Sequence, residues 1–268
     1  MHHKITRLKA AAIHFGISFL IFLVLLYFIL LHWYPQPLFN TDGGWRVIQI
    51  IVGVDLVLGP LLTLIVFKPG KPGLKLDMTL IAITQALALS WGVYTTYNER
   101  PAAVVFTVDA FTPVPAYQLR EQGIDDKKLR QFGKTWPVFI YSDIPQDRQY
   151  DVIREAAAKQ IPVYLLTKYY TPFAPEHAKQ IKANSMEGFE KILAEKIEKP
   201  ELVQRFREVM ARVKNKDRIA VVALHSRDGW FTAVFDLDKM KITEVIDVDP
   251  TLYTFGQKIR IRKKSAKQ

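Results

Sequence analysis

Three long apolar runs in the first hundred residues constrain the fold of this chain more than any other feature. They cover about residues 10–33, 47–67 and 78–97, and the first contains 24 residues. A helix rises about 1.5 Å per residue, so this run reaches about 36 Å and exceeds the roughly 30 Å hydrocarbon core of a bilayer. The sequence therefore predicts a membrane domain over residues 1–99 with three transmembrane helices.

The first run differs from a cleaved signal peptide, which has a shorter apolar core and a small-residue cleavage site. It ends in His32-Trp33-Tyr34-Pro35, a pattern typical of aromatic residues at a membrane interface. We therefore expect an uncleaved helix.

Basic side chains in the short flanks predict the orientation of the helices, since such residues collect on the cytoplasmic side. One side carries six of them, namely Lys4, Arg7, Lys9, Lys68, Lys71 and Lys75. The other side carries only Arg46 and Arg100. We expect a multi-pass protein of the bacterial inner membrane, with a cytoplasmic N-terminus and a periplasmic C-terminal domain.

Asp55 is the one acidic residue inside the three runs. It lies at helical spacing from Gly59 and Thr63, and Pro60 interrupts the backbone ladder beside them. A stripe of small and polar residues should face protein rather than lipid, and these four residues are the predicted partner-binding site. Two alternatives stay open for the Asp55 carboxyl group: a hydrogen bond to Tyr27 or Ser90 within the chain, or a partner in another protein. His14 lies near the inner end of its run and is expected to be too far away.

A short basic turn joins the second and third runs. Its sequence, residues 68–73, contains two Pro-Gly pairs that end a helix and supply positive φ angles. Its lysines Lys68 and Lys71, with Lys75 just after it, are candidates for contact with anionic lipid headgroups. The simpler alternative, which we prefer, is a turn that only sets the topology.

Residues 100–257 are predicted to form a soluble α+β domain with helices and a mainly antiparallel sheet. Asp228-Gly229 between two β-branched runs is a strong hairpin signal. The helix at 147–159 is expected to bury Tyr150, Ile153 and Ala157. The predicted strands cover residues 102–108, 136–142, 162–167, 219–225, 230–237 and 241–248. Residues 111–134 are expected to mix turns with one short helix, and 169–175 to form a loop.

The sequence offers little chemistry. It contains no cysteine, and it lacks the phosphate-binding loops, the zinc-protease motif and the nucleophile elbow. We expect no cofactor and no metal. His225 with Asp228, and Asp247 with Asp249, are the remaining acid–base candidates, and turn formation or surface solvation explains them more simply.

The tail at 258–268 holds six basic residues and no acid. It is predicted to be a separate basic tail that could meet lipid headgroups or anionic envelope polymers. Nucleic acid is not an expected partner on the far side of a membrane.

The membrane third resembles a known family across roughly residues 10–108. The residues that carry the resemblance are Gly43-Gly44-Trp45, the stretch 53–71 with Gly53-Val54-Asp55 and Gly59-Pro60, Leu74-Lys75-Leu76-Asp77, Trp33-Tyr34-Pro35, Leu38-Phe39, Tyr97 and Arg100-Pro101. The family is that of the type IV pilin accessory proteins (TfpX/TfpZ-like).

The resemblance implies a non-enzymatic inner-membrane helper that supports surface piliation. Its implied partners are a cognate major type IV pilin and the inner-membrane pilus assembly machinery, beside membrane lipid. The alternative from another class is a membrane-tethered periplasmic sensor or ligand-binding module. A membrane enzyme that uses His225, Asp247 and Asp249 is a third option.

Overall fold

The computed structural model describes residues 5–197, 199–213 and 215–252. Lys4 and the predicted basic tail at 258–268 lie outside the described residues. The chain divides into two compact units, of which the first ends at Arg100 and the second begins at Pro101.

The first unit contains three helices that are long and apolar enough to cross a membrane: Arg7–Trp33, Gly44–Val66 and Leu74–Glu99. We call them the first, second and third apolar helices. The prediction of three such helices is confirmed. Each begins three or four residues before its apolar run.

Local capping explains the early starts. The Thr6 side chain accepts a hydrogen bond from the backbone N–H of Lys9 and caps the first apolar helix. Gly43 and Gly73 precede the other two with φ angles of 88° and 79°, a left-handed conformation that glycine adopts without steric cost. Hydropathy alone does not locate these caps.

The second apolar helix is α-helical over Gly44–Ile51 and Gly59–Val66 and π-helical over Val52–Leu58. The N–H of Gly59 donates to the carbonyl of Val54, five residues back. Pro60 follows and has no N–H to donate. The widened turn therefore falls directly before the proline. The first apolar helix also ends in a π-helical turn, Ile29–Trp33, after its α-helical part Arg7–Phe28.

The second unit is built on one seven-stranded sheet with the order β4-β3-β1-β2-β5-β6-β7. The strands are β1 (Pro101–Thr107), β2 (Ala110–Pro115), β3 (Val138–Ser142), β4 (Tyr170–Pro172), β5 (Ile219–Ser226), β6 (Gly229–Asp236) and β7 (Lys241–Ile246). Two neighbouring pairs, β1–β3 and β2–β5, are parallel. The other four are antiparallel. The predicted α+β class with a mainly antiparallel sheet is confirmed.

Helices fill the long connections that parallel neighbours require. They are Ala116–Glu121, Asp126–Leu129, Gln149–Ala158, Ala178–Ala183, Phe189–Ile192 with its π-helical continuation Leu193–Ile197, and Pro200–Ala211. Single 3₁₀ turns lie at Leu38–Asn40, Gln146–Arg148, Val163–Leu165, Thr167–Tyr169, Pro175–His177 and Lys216–Arg218.

An aromatic cluster lies at the centre of the sheet. Phe111 on β2 is fully buried. Its ring centroid lies 4.7 Å from that of Phe235, 4.9 Å from Phe106, 6.1 Å from Phe173 and 6.2 Å from Phe139. Such ring pairs add to the stabilisation from apolar burial alone.

Two strand predictions were wrong. Where a strand was predicted at 162–167, the chain forms 3₁₀ turns at Val163–Leu165 and Thr167–Tyr169, and the strand β4 lies instead at Tyr170–Pro172, in the predicted loop. β4 is an edge strand, where a proline is tolerated because one side of the backbone has no partner. The strand β2 was missed because Pro113 and Pro115 resemble turn signals. β2 pairs with β5 only through Ala110 and Phe111, so neither proline interrupts that pairing.

The buried face predicted for the helix at 147–159 was also wrong. Tyr150 and Ile153 are 74% and 50% exposed. The helix instead buries Val152 and Ala156, which pack in a small cluster with Leu166. The large apolar residues of this helix indicated the wrong buried side, because the cluster that the helix packs against takes the smaller side chains Val152 and Ala156.

Candidate functional site

The predicted stripe on the second apolar helix faces the interior of the first unit. Asp55 is 7% exposed, Thr63 is fully buried and Gly59 is buried, while Pro60 is half-buried. The stripe is therefore packed against protein within the first unit. We call Asp55, Gly59 and Thr63 the inward stripe.

Thr63 contacts the first apolar helix. Its hydroxyl oxygen lies 2.6 Å from Nδ1 of His14, and the two groups share a hydrogen bond. In the described part of the chain no hydrogen bond or ion pair joins His14 to Asp55, and the expectation that His14 is too far from Asp55 stays a prediction. Asp55 is the central residue of Gly44–Val66.

The alternative of a hydrogen bond from Asp55 to Tyr27 or Ser90 is not borne out. In the described part of the chain no hydrogen bond joins Asp55 to either residue, and both are exposed. The Tyr27 ring packs against Phe28 and His32, with ring centroids 5.5 Å apart in each pair. The first apolar helix thus turns Tyr27 away from Asp55.

Gln85 on the third apolar helix completes the cluster, and sequence reasoning missed it. Its amide nitrogen donates to the carbonyl of Val54 at 3.4 Å, within the π-helical turn. A Cβ atom at Gly59 would lie 1.9 Å from that nitrogen. Gly59 therefore leaves the space through which Gln85 reaches the backbone. A glutamine within an apolar run was the available signal, since a polar side chain in a membrane needs a partner.

The inward stripe is thus occupied by the chain's own helices. A partner's contact with Asp55, Gly59, Pro60 and Thr63 stays a prediction. On the opposite side of the second apolar helix, three large apolar side chains are exposed. Val57, Leu61 and Ile65 there are 55%, 47% and 64% exposed.

The basic turn has the expected backbone. Gly70 and Gly73 have φ angles of 76° and 79°, as predicted for the two Pro-Gly pairs. Lys71 forms an ion pair with Asp77 at 2.6 Å. Lys68 and Lys75 are exposed. Contact of the three lysines with lipid stays a prediction.

Two of the acid–base candidates of the second unit, His225 and Asp249, make contacts within the fold. The His225 ring stacks on Trp230 with centroids 4.4 Å apart, and burial lowers the pKa of His225. Asp249 accepts hydrogen bonds from the backbone N–H and the hydroxyl of Thr251 at 2.8 and 2.6 Å. Among the described residues no group of three or more His, Asp or Glu side chains could hold a metal ion.

A surface groove follows the helix Pro200–Ala211. Its lining mixes charged and aliphatic side chains: Ala194, Lys199, Pro200, Val203, Gln204 and Arg207. Arg207 is already paired with Glu190 at 2.6 Å. The groove therefore defines no particular ligand chemistry.

Comparison with known proteins gives a consistent family. The family model described as "Fimbrial assembly protein FimB" matches residues 2–43. Three curated relatives from Dichelobacter nodosus are fimbrial assembly proteins. The protein of serogroup E1 is 40% identical over 105 residues, which are 38% of this chain and 40% of the relative. The protein of serogroups C1 and C2 is 38% identical over 105 residues, or 38% of this chain and 79% of the relative. The protein of serogroup I is 38% identical over 104 residues, or 38% and 40% of the two chains.

The match thus spans about two fifths of the length of two of these relatives and most of the third. No solved structure matches the chain. With a relative at this identity covered over most of its length, the chain belongs to the family of fimbrial assembly proteins.

Proposed function

We propose that this chain is a non-enzymatic accessory protein of the bacterial inner membrane that supports type IV pilin handling and pilus assembly. The observation that carries the proposal is the match to the fimbrial assembly protein of serogroups C1 and C2, over 79% of that relative. The three apolar helices and the structural roles of His225 and Asp249 agree with it.

A deletion strain tests the role in assembly. We expect loss of the gene to lower the number of surface pili while the cellular amount of pilin is unchanged, and a plasmid copy to restore it. Unchanged piliation together with a metabolite-response phenotype would favour a periplasmic sensor instead.

The proposed orientation places the N-terminus in the cytoplasm and the second unit in the periplasm. The uneven distribution of basic flanking residues supports it, since Lys68, Lys71 and Lys75 share one turn while Arg46 and Arg100 face the other side. A reporter that is active only in the periplasm, fused after Gln268, should be active. Activity of a cytoplasmic reporter at the same position would overturn the orientation.

For the pilin contact we propose the second apolar helix around Pro60. In this proposal the inward stripe does not contact the pilin. It holds the second apolar helix against the first and third apolar helices. The exposed side with Val57, Leu61 and Ile65 then meets the single apolar helix of a pilin, by van der Waals packing as membrane helices do.

Photocrosslinking tests this contact. A photoreactive residue at Val57, Leu61 or Ile65 should capture the pilin in cells. The matched control is Leu87 on the third apolar helix, which is also exposed at 67%. Equal capture from both helices, or capture from Leu87 alone, would contradict the proposed surface.

A further inference from the structure

One helix of the second unit carries apolar side chains on its outer side. The helix Gln149–Ala158 packs its other side in the core. Tyr150, Ile153 and Ala157 lie at positions i, i+3 and i+7, and all three are exposed. We call these three residues the outer stripe. Its helical spacing is that of a packed surface, yet the second unit leaves it uncovered.

Large apolar side chains are rarely exposed in the described part of the second unit. Five are exposed there: Val108, Tyr150, Ile153, Trp230 and Leu252. Tyr150 and Ile153 are the two that share an element, and they are 74% and 50% exposed. Single exposed apolar residues are normal on a protein surface, whereas contiguous ones mark interaction sites. The outer stripe is therefore a candidate contact surface.

Two opposite charges follow one flank of the outer stripe. At 100° per residue, Asp151 and Arg154 fall on the same flank. Their side chains are 58% and 82% exposed, and they pair with one another within the helix at 2.8 Å. An ion pair this exposed contributes little to the stability of one chain. Both side chains can therefore exchange it for equivalent pairs with another chain.

The order of these charges fits a second copy of the same helix. In a two-fold dimer the same surface of both copies forms the contact. When the two helices run antiparallel, the same flank of each stripe meets across the axis. Asp151 then lies opposite Arg154 of the partner subunit, and Arg154 lies opposite Asp151 of the partner subunit. A parallel arrangement would place the charged flank against the opposite flank.

The same axis brings the apolar side chains together. The midpoint between Asp151 and Arg154 falls next to Ile153, so each Ile153 packs near its own copy. Tyr150 falls within one helical turn of Ala157 of the partner subunit, whose small side chain leaves room for the ring. Charge and apolar packing therefore select one arrangement.

We propose that the outer stripe is a dimerisation surface, on which a second copy of this chain packs its own helix Gln149–Ala158 antiparallel across a two-fold axis. The contact is short, because ten residues span about 15 Å, and it belongs to the class of small, transient interfaces. Copies attached to one membrane meet at a raised effective concentration, which favours such a contact. The inference rests on membrane attachment and is independent of the role in pilus assembly.

Thiol crosslinking tests the dimer, and the absence of cysteine makes it selective. Full-length Ile153→Cys and Val108→Cys are compared in vesicles of phosphatidylethanolamine and phosphatidylglycerol with a short bismaleimide. Val108 is the matched control, a β-branched residue of the same unit that is 44% exposed in the turn after β1. Cysteine keeps a small apolar side chain at residue 153. We expect several-fold more crosslinked dimer from residue 153, and equal amounts would overturn the proposal.

Charge reversal tests the antiparallel arrangement. In the Ile153→Cys background, Arg154→Asp leaves two acidic residues on the flank and Asp151→Arg leaves two basic ones. Each variant should crosslink several-fold less with itself, because like charges then meet across the axis. Mixed in one vesicle with different epitope tags, the two variants should crosslink with one another several-fold more than with themselves. Neither variant can form the pair within its own helix, so this excess reports contact between copies. Equal self and mixed crosslinking would overturn the arrangement.

A third pair of variants tests the apolar contact. In the Ile153→Cys background, Tyr150→Ser should remove most of the crosslinked dimer, whereas Tyr150→Phe should keep it. An unchanged yield with Tyr150→Ser would overturn the role of the stripe. A photoreactive group on the thiol at residue 153 that captures lipid or a different protein in cells, in place of a second copy, would overturn the choice of partner. No pilus is measured, so a failure here is distinct from a failure of the assembly proposal.

Discussion

The contact between Thr63 and His14 gives the sharpest prediction for the first unit. Thr63→Val removes the hydroxyl group that lies 2.6 Å from the imidazole and keeps the side-chain volume. Hydrogen bonds between membrane helices contribute about 0.6 kcal/mol on average and up to about 1.7 kcal/mol. Thr63 is fully buried and the contact is short. We therefore expect a loss of about 1–1.5 kcal/mol, in the upper part of that range.

The assay reports separation of the apolar helices rather than unfolding of the whole chain. Ala11 on the first apolar helix is 8% exposed, and an Ala11→Cys background supplies a protected thiol. Its alkylation is followed in mixed micelles as the fraction of dodecyl sulfate rises. The variants Thr63→Val, His14→Phe and the double variant form a double-mutant cycle.

The matched control is Thr84→Val, the same change at an exposed position of the third apolar helix. It should shift the alkylation midpoint little. The cycle should give a coupling of about 0.6–1.7 kcal/mol between Thr63 and His14. A loss for Thr63→Val no greater than for Thr84→Val, with no coupling, would refute the assignment of this contact.

Three further predictions use other parts of the chain. Asp55→Asn should keep surface piliation at matched protein levels because the carboxyl group has no hydrogen-bond partner among the described residues, and equal severe loss with Asp55→Leu would show that the charge is required. Phe111→Ala should lower the free energy of unfolding by about 3–5 kcal/mol, whereas Tyr150→Ala, at a 74% exposed site, should change it little in the same denaturant titration. Burial of the Tyr141 hydroxyl group raises its pKa from 10.0 to about 12, and the nearby Asp143 carboxylate raises it further as the smaller cause. The contribution of Tyr141 to folding stability is therefore fully present below pH 10 and is lost as the pH rises toward 12. Between pH 10 and 12 the free energy of unfolding of the full chain in micelles should fall less in Tyr141→Phe than in the unchanged protein. The same pH dependence of unfolding in both proteins would contradict this.

The sequence predicted the parts of the fold that depend on long patterns. Apolar runs located the three helices, and the Asp228-Gly229 signal located the β5–β6 hairpin with its turn at Arg227-Asp228. Helix ends were less accurate because they depend on single residues such as Gly43 and Gly73, whose conformation hydropathy does not report.

Short elements failed where tertiary pairing decides the backbone. β4 contains only Tyr170–Pro172 and owes its extended form to β3. The prolines of β2 argued against a strand, yet they lie outside its contact with β5. A single sequence does not show which side of a strand is left unpaired.

The inward stripe was predicted from spacing, but its contacts were not. Spacing places Asp55, Gly59 and Thr63 on one side of a helix. It does not give the heights of neighbouring helices, that is, how far each helix is shifted along its axis relative to the others. The heights depend on caps and on the π-helical turn, and these bring His14 and Gln85 to the stripe.

The central position of the β1–β2 hairpin has a consequence for biogenesis. This hairpin is synthesised first, yet both of its edges bond to strands made later: β3 on one side and β5 on the other. At roughly 5–20 residues per second, the ~100 residues between Pro115 and Ile219 take on the order of 5–20 s to emerge. During that interval β2 presents open backbone groups, the kind of edge on which foreign strands pair and aggregates begin. A nascent chain of this protein should therefore depend on chaperone protection until β5 is complete.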